Sequence, residues 1–381
     1  MDVGDTGFEP VTLCVSRRKS TLCKSPKSDN CSRFVDLIYS LNTSLSTNFD
    51  TSKSYHLSTF ESYIRKRNRY KMKILMKLLL ITALISCGKY EDILSDNSIG
   101  ENVSILVHPN QTDANYSTSN KSHFIVRNTK NHMNKLMLFI GGSFSSPDDY
   151  TFISEHAASI GFDVISISYP NDVPAASLAS SSDQFAFDNY RDEICFGNQV
   201  SNDVEVYFLN SINTRTIKLI QYLESIYPEQ NWNQYLTPSN NIDWKKIVVA
   251  GHSQGAGHAC YLGKKKLIER VIMFSGPNDY STHFNSPANW LSDDGLTELS
   301  KQYALLHIND EIISYDFQVL NLKDLGILTL SEEPLLVDNL SSPYNNKNAL
   351  SLNILASSNH NSTVGGNAKL PNIWTYLLTS E

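Results

Sequence analysis

Apolar positions along this chain fall into two regimes. Short, nearly continuous apolar runs recur from residue 135 onward, at Lys135–Ile140, Phe162–Ser168, Ile247–Ala250, Arg270–Ser275, Tyr303–Ile308 and Leu350–Ala356. Runs of this length predict strands buried on both faces, because a half-exposed strand would alternate polar and apolar side chains. Between them lie stretches with helical spacing, at Pro147–Ile160, at Ala256–Lys266, and at Asn213–Ile226 with Ile217, Leu219, Ile220, Leu223 and Ile226. Strand, helix, strand with Gly161 before the second strand reads as a βαβ unit. Such units imply parallel pairing. The expected class is therefore α/β, with a central, mostly parallel sheet flanked by helices. No internal repeat is visible.

The pattern breaks in four places. Residues 171–210 are small and polar at Ala175–Ser182 and mix aromatics with acids at Phe185–Asn198. Lying between two expected central strands, they predict a cap insertion in which Tyr190, Phe196, Tyr207 and Phe208 either pack or line a pocket. Ser281–Trp290 could overhang the same mouth. The Asn/Ser-rich tract Ser95–Ser122 reads as a tether, with Ile105-Leu106-Val107 as a possible edge strand inside it, and Pro343–Asn348 reads as a surface loop.

The basic start Met72–Lys77 and the apolar run Leu78–Ile85 have the proportions of a secretory signal, too short to span a bilayer as a permanent helix. The run ends Leu84-Ile85-Ser86-Cys87, which resembles a bacterial lipobox and implies lipidation of Cys87. The expected organisation is an upstream extension at 1–71 that is not part of the translated protein, a lipoprotein signal at 72–86, a tether at 87–121, and a catalytic-type domain at 122–381 with its cap. Cys14, Cys23 and Cys31 then form no disulfide or zinc framework. Cys195 and Cys260 remain, and a bridge between them is open.

Charge sharpens this picture. From Cys87 the remaining 295 residues hold 18 Lys+Arg against 32 Asp+Glu, a balance of −14 where the whole chain carries −7. Such a surface argues against nucleic acid and against electrostatic adhesion to anionic lipid. Membrane attachment is expected through the lipid anchor only, in the cell envelope.

The candidate chemistry centres on Gly251-His252-Ser253-Gln254-Gly255, set between the run Ile247–Ala250 and the helical stretch Ala256–Lys266. Strand, tight turn, helix places a serine on a strained turn, and glycines two positions either side let strand and helix approach. The arrangement lifts the hydroxyl out of the sheet and aims the Gln254 amide at the reacting carbon. A serine hydroxyl is a weak nucleophile, so it needs an imidazole to take its proton and a carboxylate to orient that ring. No metal or organic cofactor is required.

This elbow resembles the α/β-hydrolase superfamily. More narrowly, the Gly141-Gly142-Ser143 turn, the run Ser168-Tyr169-Pro170-Asn171, the elbow, and Ser275-Gly276-Pro277-Asn278-Asp279-Tyr280 together resemble a group of poorly characterised exported bacterial hydrolases. The resemblance implies an α/β-hydrolase fold and a triad ordered nucleophile, acid, histidine. Ser253 is then the nucleophile, and Asp310, past the run Tyr303–Ile308, the acid. His360, in the loop after Leu350–Ala356, is the base. Glu311 and Asp279 remain alternative acids. His252, His258 and His307 are expected to be structural. The oxyanion hole is expected from the amides of Gln254 and Gly142, with Ser143 as the neighbouring choice. The implied activity is hydrolysis of a small-molecule carboxylic ester through an acyl-enzyme. Two alternatives stand beside it, a catalytically inactive hydrolase fold kept as a surface binding lipoprotein and a serine peptidase or amidase.

Overall fold

The computed structural model describes residues 101–116 and 121–380. The expected upstream extension, the signal segment and Cys87 lie outside the described residues. The strands are β1 (Asn102–Val107), β2 (His123–Asn128), β3 (Leu136–Ile140), β4 (Asp163–Ile167), β5 (Ile247–His252), β6 (Arg270–Phe274), β7 (Tyr280–Ser281), β8 (Ser286–Pro287), β9 (Gln302–His307), β10 (Leu335–Leu336) and β11 (Ala349–Leu352). Among the described residues nine of them form one sheet in the order β1-β2-β4-β3-β5-β6-β9-β11-β10, and β7 and β8 pair separately. All neighbours from β4 to β10 are parallel, whereas β2 runs antiparallel to both β1 and β4. Every residue of β3, β4 and β5 is buried, which explains why these strands read as continuous apolar runs.

The helices are α1 (Pro109–Thr112), α2 (Thr151–Ser159), α3 (Ala186–Phe196), α4 (Ile212–Ile226), α5 (Gln254–Lys265), α6 (Tyr315–Leu325), α7 (Asn359–Ser362) and α8 (Leu370–Thr379). They cover both faces of the sheet. Leu136, Leu138, Val249, Val271 and Met273 pack with Tyr190 and Ile194 of α3, Leu219 and Leu223 of α4, and Ala256 and Ala259 of α5. On the opposite face Met137, Phe139, Val248, Ile272 and Phe274 pack with Ile153 and Ala157 of α2 and with Trp374 and Leu377 of α8. Alternate residues of each strand serve alternate layers, as the two-residue period of a strand requires.

The structure revises several expectations. Residues 101–116 are not a plain tether. Asn102–Val107 pairs with His123–Asn128 as an edge strand, and Pro109–Thr112 is a turn of helix capped by His108. The expected helix Pro147–Ile160 opens as a 3-10 turn over Pro147–Tyr150 and closes at Ser159, before Gly161 at φ 111°. The last central strand is shorter than expected and stops at Leu352. Cys195 and Cys260 are both free and buried, and burial pushes the Cys260 thiol up to about 12.

The segment expected to form a cap is anchored deep in the domain. Tyr190 is buried and donates its hydroxyl to the Val173 carbonyl at 2.6 Å, whereas Tyr207 and Phe208 are exposed. Arg191 of α3 is fully buried: its Nε donates to Asp279 Oδ2 at 2.9 Å and its Nη1 to the Gln254 carbonyl at 2.7 Å. Trp290 Nε1 also donates to Asp279 Oδ2, at 2.9 Å. One buried ion pair therefore ties α3, the loop after β6 and the first turn of α5 together. A buried charge that loses its partner is left without solvation, which typically costs about 3–5 kcal/mol. Arg191→Met should lose stability of about that size in urea unfolding, and Arg191→Met with Asp279→Asn should recover part of it. An additive loss would show that the two charges are not compensating one another.

Candidate active site

Connections from β3 pass to β4 on one side, while β5 leads to β6 and β9 on the other. The crevice between the β3 and β5 ends is thus the point where the strand order reverses, the place where open α/β sheets bind ligands. Ser253 sits there, immediately after β5, with φ 57° and ψ −120°. Its amide is held by the Phe274 carbonyl of β6 at 2.9 Å, and it is half-buried. The flanking glycines are a steric necessity. A Cβ on Gly251 would stand 2.1 Å from the Gly255 carbonyl oxygen, and one on Gly255 would stand 1.9 Å from that of Ile140.

Two of the expected partners are joined. His360 Nδ1 lies 2.7 Å from Asp310 Oδ2, with His360 buried in α7 and the Asp310 side chain fully covered. Asp310 Oδ1 also accepts the amides of Ile312 and Ile313, each at 2.9 Å, and Oδ2 accepts Gln318 Nε2 at 3.1 Å. Burial alone would raise this carboxyl, but the His360 imidazole and the two amides hold it below the usual carboxylate range. An ionised Asp310 accepts the Nδ1 proton, which leaves His360 Nε2 as the basic nitrogen. Ser253 Oγ does not bond to His360. It accepts instead from Asn278 Nδ2 at 3.4 Å.

The alternative acids have other partners. Asp279 is taken up by Arg191 and Trp290. Glu311 accepts from Ser358 Oγ at 2.7 Å and from the amides of Asn359 at 2.9 Å and His360 at 3.1 Å, so it fastens the loop carrying the histidine. Burial would raise Glu311 too, yet these donors bring it below its ordinary value.

The expected Gly142 donor is already engaged in this structure. Gly142 does lie against the elbow, since a Cβ there would stand 3.1 Å from that of Ser253. Its amide, however, donates to Tyr150 Oη at 2.7 Å. The amides of Ser143 and Gln254 bond to no described acceptor, so Ser143 replaces Gly142 as the second candidate donor. Ser143 Oγ donates to Gln254 Oε1 at 2.7 Å, which locks the two donor residues together, and the Ala175 amide donates to the same oxygen at 3.0 Å.

Several residues that the sequence did not mark as functional hold this frame. Tyr150 Oη also lies 3.3 Å from His252 Nδ1, and His252 Nε2 is 3.0 Å from the His360 carbonyl. Burial, then the nearby His360, pushes His252 down to about 3, so its ring is neutral and donates from Nε2 to that carbonyl. Ser275 Oγ donates to the same carbonyl at 2.7 Å. A buried relay therefore runs from the turn after β3, beneath the elbow, to the histidine. Asn171 Nδ2 braces the turn from its other side through the Gly142 and Ser145 carbonyls, at 2.8 and 3.0 Å, and Tyr169 Oη donates to the Gly141 carbonyl at 2.7 Å. The signals were the Ser168–Asn171 and Ser275–Tyr280 runs, whose partners only the fold reveals. His258 and His307 are buried away from this relay, the latter with Nε2 2.9 Å from the Ile354 carbonyl. Among the described residues no group of three or more His, Cys, Asp or Glu could hold a metal ion.

Two outcomes follow from the geometry. Gly255→Ala should lose about 3–5 kcal/mol in denaturant unfolding, because its Cβ meets backbone that cannot retreat. Retention of wild-type stability would mean that helix and strand separate easily. The lowered Asp310 carboxyl stabilises the fold above the ordinary carboxylate range, and that stabilisation is lost as pH falls through its lowered value. The stability difference between wild type and Asp310→Asn, followed by thermal unfolding against pH, should be full above pH ~5 and shrink below it. No protein-family model matches this chain, and no curated protein matches it.

Proposed function

We propose that this chain is a serine hydrolase of α/β-hydrolase type that cleaves carboxylic esters through Ser253, His360 and Asp310. The observation that carries the reading is Ser253 itself, a non-glycine residue at φ 57° between a buried strand and a helix, at the point of strand reversal. The His360–Asp310 pair supports it from a separate loop.

In this reading Ser253 Oγ attacks the ester carbonyl carbon while His360 Nε2 takes its proton. Negative charge developing on the carbonyl oxygen is met by the amides of Gln254 and Ser143, which are already oriented and need no rearrangement. The tetrahedral intermediate expels the alcohol, which receives the proton from His360. Water then attacks the acyl-enzyme by the same route, releasing the carboxylic acid and the free serine. Asp310 remains ionised throughout and stabilises the imidazolium. The Ser253–His360 hydrogen bond forms in the reacting complex, when the hydroxyl leaves Asn278; such bonds commonly tighten only with substrate.

The segment at 171–210 serves as the cap that selects substrate, and residues 72–87 supply export and a lipid anchor at Cys87. Among the described residues no helix is long and apolar enough to cross a membrane. The resting separation of Ser253 from His360 favours one second reading, a hydrolase fold retained as a binding lipoprotein.

Fluorophosphonate labelling separates the two. The protein should label at Ser253, lose labelling in Ser253→Ala and His360→Ala, and fall in ester turnover by about 10³–10⁴-fold in Asp310→Asn, which leaves the imidazole in the wrong tautomer. A well-folded protein that does not label would overturn the hydrolase reading in favour of the binding one.

A further inference from the structure

Phe144 combines two unfavourable properties at one position. Its backbone is left-handed at φ 62°, a region that glycine or asparagine enters easily and a bulky residue does not. Its ring is also 63% exposed. A glycine here would remove both the strain and the exposed apolar surface, so neither local geometry nor the core accounts for a phenylalanine.

The backbone that carries the ring is fixed from several directions. The Phe144 amide donates to the Asn171 carbonyl at 2.9 Å, Lys121 Nζ donates to the Phe144 carbonyl, and Ser145 Oγ donates to the Gly142 carbonyl at 2.8 Å. The preceding residue is Ser143, whose amide is unpaired and whose hydroxyl is locked to Gln254. The ring therefore projects from a rigid turn, one residue beyond an unpaired amide whose own side chain is bonded to the elbow residue Gln254. Two other loops near the site carry exposed apolar side chains on ordinary backbone. Ile312, 64% exposed, donates its amide to Asp310 Oδ1, and Leu355, 99% exposed, lies five residues before His360. These loops follow β3, β9 and β11, whose C-terminal ends share the sheet edge that bears Ser253.

We propose that Phe144 is a specificity-determining residue, a fixed apolar shelf beside the Ser143 amide, and that the substrates are esters carrying a hydrophobic chain or ring that lies on it. This rests on the serine hydrolase reading. An ester oxygen bound by Ser143 and Gln254 brings the groups on either side of its carbonyl within reach of a ring one residue away. Ile312 and Leu355 are further exposed apolar side chains, on the loops of the acid and the histidine. Selectivity for apolar groups then arises from area removed from water rather than from hydrogen bonding.

The test uses the full chain with two ester series, one lengthening the acyl group from acetate to octanoate and one lengthening the alcohol of an acetate. Wild type should prefer the long member of one series. Phe144→Gly should keep its thermal midpoint or raise it, since glycine takes φ 62° without strain, and should still label with a small fluorophosphonate. It should nevertheless lose about tenfold in kcat/KM for the long ester, mainly through KM, with little change for the short one. Phe144→Tyr should retain the preference. The series that collapses identifies whether acyl or alcohol group lies on the ring. An unchanged long-to-short ratio in Phe144→Gly, or a wild type that prefers acetate esters in both series, overturns the shelf while leaving the labelled serine intact. A wild type that does not label removes the hydrolase reading and this inference with it.

Discussion

The left-handed backbone of Ser253 is the constraint on which the rest of the site depends. It exists because α5 starts almost in contact with β3 and β5, an approach that only hydrogen at Gly251 and Gly255 permits. The strain is held by its surroundings: the Ser253 amide is pinned to β6 and the α5 first turn is pinned by Arg191. A side chain on such a turn is presented at the sheet edge with few rotameric choices, and the Gln254 amide behind it is left unpaired by helix geometry. The proposed nucleophile and the proposed donor thus come from a single backbone decision.

What that decision does not supply is the histidine, which must be delivered from β11, three strands away in the sheet from β5. The delivery is made by backbone as much as by side chain. The His360 carbonyl is held by His252 and Ser275, its amide by Glu311, and its ring by Asp310. His252 is the economical member of this set. It neighbours Ser253 in sequence, and through Tyr150 it also reaches the Gly142 amide. Turn, elbow and histidine loop share one buried hydrogen-bonded path, so a displacement of any one is felt by the other two.

The parts of this structure legible in sequence were those fixed by local pattern. β3, β4, β5 and β9 are fully buried and β6 is buried but for Arg270, so they read as mostly apolar runs, and the elbow glycines are recognisable by their spacing around Ser253 although Gly255 meets the distant Ile140 carbonyl. β1 was harder because it lies at the edge and mixes exposed with buried positions, as Asn102–Val107 shows. The choice between the two candidate donors was not legible for a different reason. Whether Gly142 or Ser143 offers a free amide depends on where the Tyr150 hydroxyl falls, and that is settled by the helix turn that follows. Arg191 and Gln318 carried no signal at all, because their partners are 88 and 8 residues away and only the fold chooses them.

The distribution of strain gives an independent argument for the proposed site. Among the described residues, the non-glycine positions at positive φ are six asparagines together with Phe144, Ser253, Ser275 and Tyr344. Asparagine enters this region at little cost, so those six are ordinary turn chemistry. The other four are costly, and three of them fall in the loops after β3, β5 and β6, side by side across the strand reversal. Ser253 is the proposed nucleophile, Ser275 holds the His360 carbonyl, and Phe144 adjoins the unpaired Ser143 amide. A fold under selection for stability alone has no reason to gather its expensive backbone conformations at one edge of one sheet. Strain gathered at the edge that also carries unpaired amides and a half-buried hydroxyl is the arrangement expected of the proposed site if it is organised before a substrate arrives.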